Sequence, residues 1–249
     1  MALLSTPQRR TAIITGGSRG IGAAVAERLA HDGLAVVINY SSGADVAQAL
    51  VAKIEQAGGT ATAVQAHVSD PAAVKALFDA AEQAYGGVDV LVNNAGIMKL
   101  APITTTEDEL FDQHVAINLK GVFNGLREAG RRMRDGGRVV SFSSSVVGLY
   151  QPTYGVYAAT KAGVEAMTHI FAKEMRGRRI TVNSVAPGPT DTPLFTAGKT
   201  RELIDSIAKM NPMERLGKPV DIANAISFLV GGDGGWVNGQ VLRLNGGMI

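Results

Sequence analysis

A chain of 249 residues carries 24 Lys and Arg against 22 Asp and Glu, a formal net charge of +2, so electrostatics give no case for nucleic-acid or membrane-surface partners. Charged residues make up 18% and hydrophobic ones 46%, which excludes a disordered chain and provides for one large core. Without cysteine, disulfides, thiolate nucleophiles and Cys-ligated metals are excluded.

The N-terminal run from Met1 to Arg10 has an apolar stretch too short for a secretory signal, and its basic residues follow that stretch. No run of about 18 apolar residues suggests a membrane span, so a soluble, cytoplasmic protein is expected. Apolar β-rich runs then alternate with Ala-rich helical ones. Thr11–Thr15 is predicted as a strand, Ile21–His31 as a helix, Ala35–Asn39 as a strand and Ala44–Ala57 as a helix. Gly58-Gly59 closes that helix, where a left-handed end suits glycine. Ala61–Ala66 is a third strand. Pro71 after Ser69-Asp70 has the pattern of a capped helix start, with the helix running to about Ala84. Val88–Val92 is strand four, followed by helices near Glu107–Asn118 and Leu119–Arg134. Arg138–Phe142 is strand five, Tyr154–Arg176 a long helix and Ile180–Val185 strand six. The segment 188–215 is polar and Pro-punctuated, with one short helix near Arg201–Met210, and is expected to be a mobile lid. A helix at Val220–Val230 and a strand at Gln240–Leu244 end the chain. Short strands rich in Val and Ile read as buried on both faces, which implies a parallel sheet covered by helices. The prediction is a single α/β domain over residues 1–249, a doubly wound Rossmann fold with a seven-stranded parallel sheet.

Between the first strand and first helix lies Thr15-Gly16-Gly17-Ser18-Arg19-Gly20-Ile21-Gly22. Glycines there let the backbone turn tightly and approach a pyrophosphate at the helix N-terminus. Gly16, Gly20 and Gly22 are the key three, with Ser18, Arg19 and Ile21 between them. A carboxylate after strand two would hold the ribose 2′-hydroxyl of NAD. Here that strand ends Asn39-Tyr40-Ser41-Ser42, with no acid before Asp45. An acid would repel a 2′-phosphate. Its absence, with Arg19 and two serine hydroxyls nearby, favours NADP(H).

Tyr157 and Lys161 are four residues apart on the long predicted helix and so share one face. A free phenol titrates near 10 and is a poor acid–base group at neutrality, but an adjacent cation favours phenolate and is expected to lower its pKa. Such a pair suits proton exchange with an alcohol or ketone oxygen. An aromatic and a Lys also share many solvated helix faces, so the pair gains weight from its surroundings.

Along nearly its whole length the chain resembles the short-chain dehydrogenase/reductase family. The resemblance rests on Thr15–Gly22, Asn93-Asn94-Ala95-Gly96, Asn118, the serines 143–145, Tyr157-x-x-x-Lys161 and Pro187-Gly188-Pro189-Thr190, in that order. Within the family it is similar to 3-oxoacyl-[acyl-carrier-protein] reductases and small NADP-dependent carbonyl reductases. The resemblance implies that Tyr157 is the general acid in carbonyl reduction and that Lys161 lowers its pKa and binds the nicotinamide ribose. Ser145 would bond the substrate oxygen and Asn118 would hold a water for proton relay. Asn93, Asn94, Ala95 and Gly96 would lie against the cofactor, and Pro187, Gly188, Thr190 and Thr192 would border the nicotinamide. A homotetramer built across the last strand and nearby helices is also implied.

The chain departs from the family pattern twice. The interval from Ser145 to Tyr157 is one residue short. Ser145 is preferred because Val146-Val147-Gly148 follow it; Ser144 restores the interval and is the alternative. Where the family often has Asp at the end of strand three, this chain has His67-Val68, expected against the adenine. The four histidines show no metal-ligand spacing, and no metal is expected. Met98, Leu149, Tyr150, Tyr154 and the segment 188–215, with its apolar Leu194, Phe195, Met210 and Met213, are expected to shape a pocket for a ketone with an apolar body; the C-terminus is a further candidate wall, and the stretch Leu149–Thr153 borders the substrate. Arg127, Arg131, Arg132, Arg176, Arg178 and Arg179 could form a basic patch for acyl carrier protein, or be solvated charge. The expected function is NADPH-dependent reduction of a small-molecule ketone; the non-enzyme alternative is an NADP-binding sensor or scaffold.

Overall fold

A computed structural model describes residues 9–249; the N-terminal reading over Met1–Gln8 lies outside the described residues. Seven parallel strands form one sheet in the order β3-β2-β1-β4-β5-β6-β7. They are β1 (Thr11–Ile14), β2 (Ala35–Tyr40), β3 (Thr60–Gln65), β4 (Val90–Asn93), β5 (Arg138–Phe142), β6 (Thr181–Pro187) and β7 (Val241–Leu244). The helices are α1 (Gly20–His31), α2 (Ala44–Gln56), α3 (Pro71–Tyr85), α4 (Asp108–His114), α5 (Gly121–Arg132), α6 (Val146–Leu149), α7 (Gly155–Glu174), α8 (Pro193–Thr196), α9 (Arg201–Ala208) and α10 (Pro219–Val230).

The strands are apolar on both faces because both faces are covered. Ile14, Ile38, Val92 and Val140 pack against Val25 and Leu29 of α1 and Ile222, Ile226 and Leu229 of α10. Their neighbours Ile13, Val37, Leu91 and Val139 turn the other way, onto Leu77 and Phe78 of α3, Leu126 of α5 and Val164 of α7. Asp70 caps α3 as expected, accepting from Ala72 N at 2.8 Å. β1 pairs with β2 on one side and β4 on the other, with Ile14 opposite Ile38 and Val92. Strand order reverses there, and the crevice beyond those strand ends is where doubly wound sheets bind ligands.

Two features differ from expectation. The predicted helix pair over 107–134 is one continuous rod, in which Val115–Lys120 is π-helical and joins α4 to α5. The predicted break at Asn118 marks this wide turn, an irregularity frequent at functional sites. The segment 188–215 holds two helices, α8 as well as the expected α9.

Candidate active site

The glycine turn is shaped by close packing. Gly16 and Gly20 have φ of +60° and +56°, and a Cβ on Gly22 would lie 2.3 Å from Gly16 O, which no side chain permits. Polar side chains hold the turn from behind. Asn94 Nδ2 donates to Thr15 O and Gly16 O, both at 2.9 Å. Thr15 Oγ1 accepts from Asn94 N and Ala95 N. Asn39 accepts from Gly16 N at 3.2 Å and donates to Ala66 O at 3.0 Å, so its side chain braces the turn.

In front of the turn lies a cleft of about 380 Å³. Gly16, Ser18, Arg19, Gly20, Ile21, Asn39, Tyr40, Ser41, Ser42, His67, Val68, Asn94, Ala95, Gly96 and Thr192 all line it, as the sequence implied. Arg19 reaches across its mouth and donates to Ser42 O at 3.2 Å. A guanidinium and two serine hydroxyls thus meet at the end of β2, a donor set suited to a phosphate. His67 borders the cleft with its ring exposed. Asn93 is a correction: it is buried within β4, donates to Ser141 Oγ and does not line the cleft.

Behind Gly96, Asn118 is wholly buried; it accepts from Ile97 N at 2.8 Å and donates to Ile97 O at 2.9 Å. Lys161 Nζ donates to Phe142 O at 2.8 Å. Gly96 stands between them, since a Cβ there would be 3.2 Å from Asn118 Oδ1 and 3.6 Å from Lys161 Nζ. Tyr157 lies one turn before Lys161, its ring centroid 5.7 Å from Nζ. The Tyr157 ring is flanked edge-on by Tyr154 at 6.4 Å and His114 at 6.3 Å.

The expected lowering of the Tyr157 pKa by Lys161 is absent. Burial pushes the phenol up to about 12, a hydrogen bond with Ser144 opposes the rise, and Tyr154 adds to it. Burial likewise pushes Lys161 down to about 8. The ammonium is committed to the Phe142 carbonyl and does not face the phenol oxygen, so desolvation prevails over charge.

The three successive serines turn in different directions. Ser145 is buried; its hydroxyl donates to Ala186 O at 2.9 Å and accepts from Asn245 Nδ2 at 3.0 Å. It ties β5 to β6 and the C-terminal segment. Ser144 lies close enough to the Tyr157 phenol to favour its ionised form. Ser143 turns to Glu165, donating to Oε1 at 2.5 Å.

Tyr157 opens onto a second cavity of about 300 Å³, which Ser143, Ser144 and Ser145 all border. Met98, Leu149, Tyr154, Leu194, Phe195 and Met210 line it as expected, as do Pro187, Gly188 and Thr190. Tyr150 is 84% and Met213 62% exposed, and neither lines it. Gln151, Ile207 and Met248 also line it, within the stretch 149–153, the segment 188–215 and the C-terminus expected to border the substrate; Val146 was not singled out. Ile21, Asn94, Thr192 and Leu194 border both cavities, which therefore meet.

The arginine patch does not stand at this entrance. Arg131 and Arg132 end α5 just before β5 begins, and Arg176, Arg178 and Arg179 lie between α7 and β6. These are the N-terminal ends of the strands, opposite the site. Arg132 is engaged by Asp79, Glu82 and Glu128, and Arg178 by Asp135. Among the described residues, no group of three or more His, Asp or Glu is placed to hold a metal ion, and no helix is long and apolar enough to cross a membrane.

A long cleft behind a glycine turn meets an apolar pocket lined by a phenol and serine hydroxyls, with a buried ammonium one helical turn from that phenol, an arrangement of a nicotinamide-dependent oxidoreductase. A family model described as Enoyl-(Acyl carrier protein) reductase matches residues 16–249. A short-chain type dehydrogenase/reductase of Picea abies is 44% identical, the match covering 96% of this chain and 92% of the relative. An NADPH-dependent aldehyde reductase-like protein, chloroplastic, of Arabidopsis thaliana is also 44% identical, over 96% and 94%. A short-chain dehydrogenase from Burkholderia cenocepacia, solved with NADP, superposes with a TM-score of 0.91 at 38% identity, covering 98% of this chain and 99% of that one. The chain belongs to the short-chain dehydrogenase/reductase family of oxidoreductases, and its cofactor site is of the NADP type.

Proposed function

We propose that this chain reduces a ketone with an apolar body to a secondary alcohol, reversibly, with Tyr157 as proton donor. The observation that carries the reading is the placement of Tyr157 and Ser144 on one wall of an apolar pocket that opens into the cofactor cleft. The cleft residues fit NADP(H): the missing Cβ atoms of Gly16 and Gly22 let the turn close tightly against Asn94 and Ala95, Gly20 lines the cleft at the start of α1, and Arg19 and Ser42 stand where a 2′-phosphate needs donors. When bound, NADPH supplies the hydride. The protein supplies orientation and the proton.

The carbonyl oxygen lies against Ser144 and Tyr157. As the carbonyl carbon takes up hydride, the C=O π pair moves to oxygen, the Ser144 hydroxyl stabilises the growing charge, and Tyr157 passes its proton to that oxygen. Lys161 and Asn118, which flank Gly96, are suited to returning a proton to Tyr157 through a bound water. Pocket volume and lining favour a compact apolar substrate held by few polar groups. An acyl-carrier-protein substrate loses support, because the arginines expected to greet it lie at the other end of the sheet. The segment 188–215 serves as a lid: Leu194, Phe195, Ile207 and Met210 cover the pocket, and amides over Pro193–Met210 gain hydrogen-exchange protection when NADP binds. We place the chain in the cytoplasm as a homotetramer, a state that light scattering tests.

NADPH consumption across aldehydes, ketones, 3-oxo esters and a 3-oxoacyl thioester tests the function. Apolar ketones should give the highest kcat/KM. Preference for the thioester would restore the fatty-acid-synthesis reading, and tight NADPH binding without any turnover would restore the sensor.

A further inference from the structure

His114 closes α4 with no exposed surface, whereas His31, His67 and His169 are exposed. Both its ring nitrogens are engaged. Nε2 is 3.3 Å from Lys99 N, a group that only donates, so Nε2 accepts. Nδ1 is 2.9 Å from Leu110 O, so it carries the ring proton. Those partners assign a single neutral tautomer. Four residues on, Asn118 grips Ile97 through both its N–H and its carbonyl. Two side chains of one helix thus clamp Ile97 and Lys99, the neighbours of Met98 in the substrate pocket.

The third contact of His114 is with Tyr157, whose ring it meets at 6.3 Å and 77°, an edge-to-face arrangement. Tyr154 meets the same ring at 6.4 Å and 65°. A tyrosine side chain has two free torsions, and its oxygen swings widely when the ring tilts. With an aromatic edge on each side, that tilt is fixed. Tyr154 borders the pocket and is half-buried; His114 is anchored at both nitrogens and is the fixed side of the pair.

We propose that His114 is a positioning residue for Tyr157, setting the tilt at which the phenol meets the carbonyl and tying that tilt to the Met98 wall. The inference rests on Tyr157 as the proton donor. Two variants separate its contacts. His114→Gln can keep an acceptor for Lys99 N and a donor for Leu110 O but lacks the ring. His114→Phe keeps the ring edge but leaves Lys99 N without its acceptor.

The expected result is a crossed pattern. H114Q should lose about tenfold or more in kcat, with unchanged KM, unchanged NADPH Kd and a Tm near wild type. H114F should retain most of kcat while its Tm falls. Wild-type kcat in H114Q overturns the proposal, as does a loss of kcat in both variants that tracks their loss of Tm. If H114F does not fold, the kcat of H114Q decides alone. A Tyr157→Phe variant run alongside separates the two failures: a normal H114Q beside an inactive Y157F refutes only the positioning role, whereas an active Y157F refutes the proton-donor reading itself.

Discussion

Tyr157→Phe is expected to lower kcat/KM for carbonyl reduction by about 10²–10⁴-fold, the range a positioned acid contributes. The ring stays, and with it the edge contacts to Tyr154 and His114, so fold and NADPH affinity should be retained. Only the proton donor and the partner of Ser144 are lost. Steady-state kinetics beside cofactor titration check this, and turnover that survives the substitution would move the proton donor elsewhere. The pH dependence has a definite sign. With its pKa raised to about 12, the phenol is protonated at neutral pH and ready to donate, so reduction should be insensitive to Tyr157 ionisation through neutrality. Alcohol oxidation needs the phenolate as base. Its rate should climb with pH, by about tenfold per unit while the phenolate is scarce, until cofactor and substrate reset the pKa. An oxidation rate that is flat from neutral to alkaline pH would contradict a Tyr157 base.

The reason Tyr157 needs so much from its surroundings is geometric. In the free protein, Lys161 spends its ammonium on Phe142 O, and burial disfavours both charged forms at once. The i, i+4 spacing placed the two groups on one face, as read from sequence, but spacing says nothing of what lies over that face. Residue type and register were legible because they follow from local chain geometry. The protonation state was not, because it is set by burial and by a carbonyl 19 residues away.

The same division runs through the rest of the molecule. Successive residues of β1, Ile13 and Ile14, face opposite sides of the sheet and are both wholly buried, and such two-sided runs made the parallel sheet readable. The glycine turn was readable because an absent Cβ is visible in sequence. The π-helical stretch Val115–Lys120 was not, for its wide turn is fixed by Asn118 gripping the backbone of Ile97, 21 residues earlier. His114 was opaque for the same reason: its partners are backbone groups, which carry no sequence signature, and a ring brought in by α7. For the basic residues after α5 and α7, composition left an entrance patch and solvated charge both open, and topology puts them at the far ends of the strands.

Ser144→Ala should cost about 10²–10³-fold in kcat, the loss typical of one donor to a developing oxyanion, with little change in stability. Ser145→Ala should do the reverse. Its hydroxyl is buried between Ala186 O and Asn245 Nδ2, and removing it leaves both polar groups without their partner. That predicts a loss of about 1–3 kcal/mol in unfolding free energy, read by denaturant titration, with kcat of the folded protein largely kept. Flanking residues and spacing pointed to different serines, and the proposal of Ser144 rests on the path of the chain beyond β5. After Phe142, Ser143 turns toward Glu165, Ser144 toward the phenol and Ser145 toward β6, three successive directions as the strand gives way to α6. A tight turn follows, in which Tyr150 and Thr153 both hold positive φ, 50° and 73°, conformations that are costly for residues with a Cβ. If S145A lost activity at an unchanged Tm while S144A stayed normal, the thirteen-residue step from Ser144 to Tyr157 would have to be abandoned, and Ser145 would be the serine at the carbonyl oxygen.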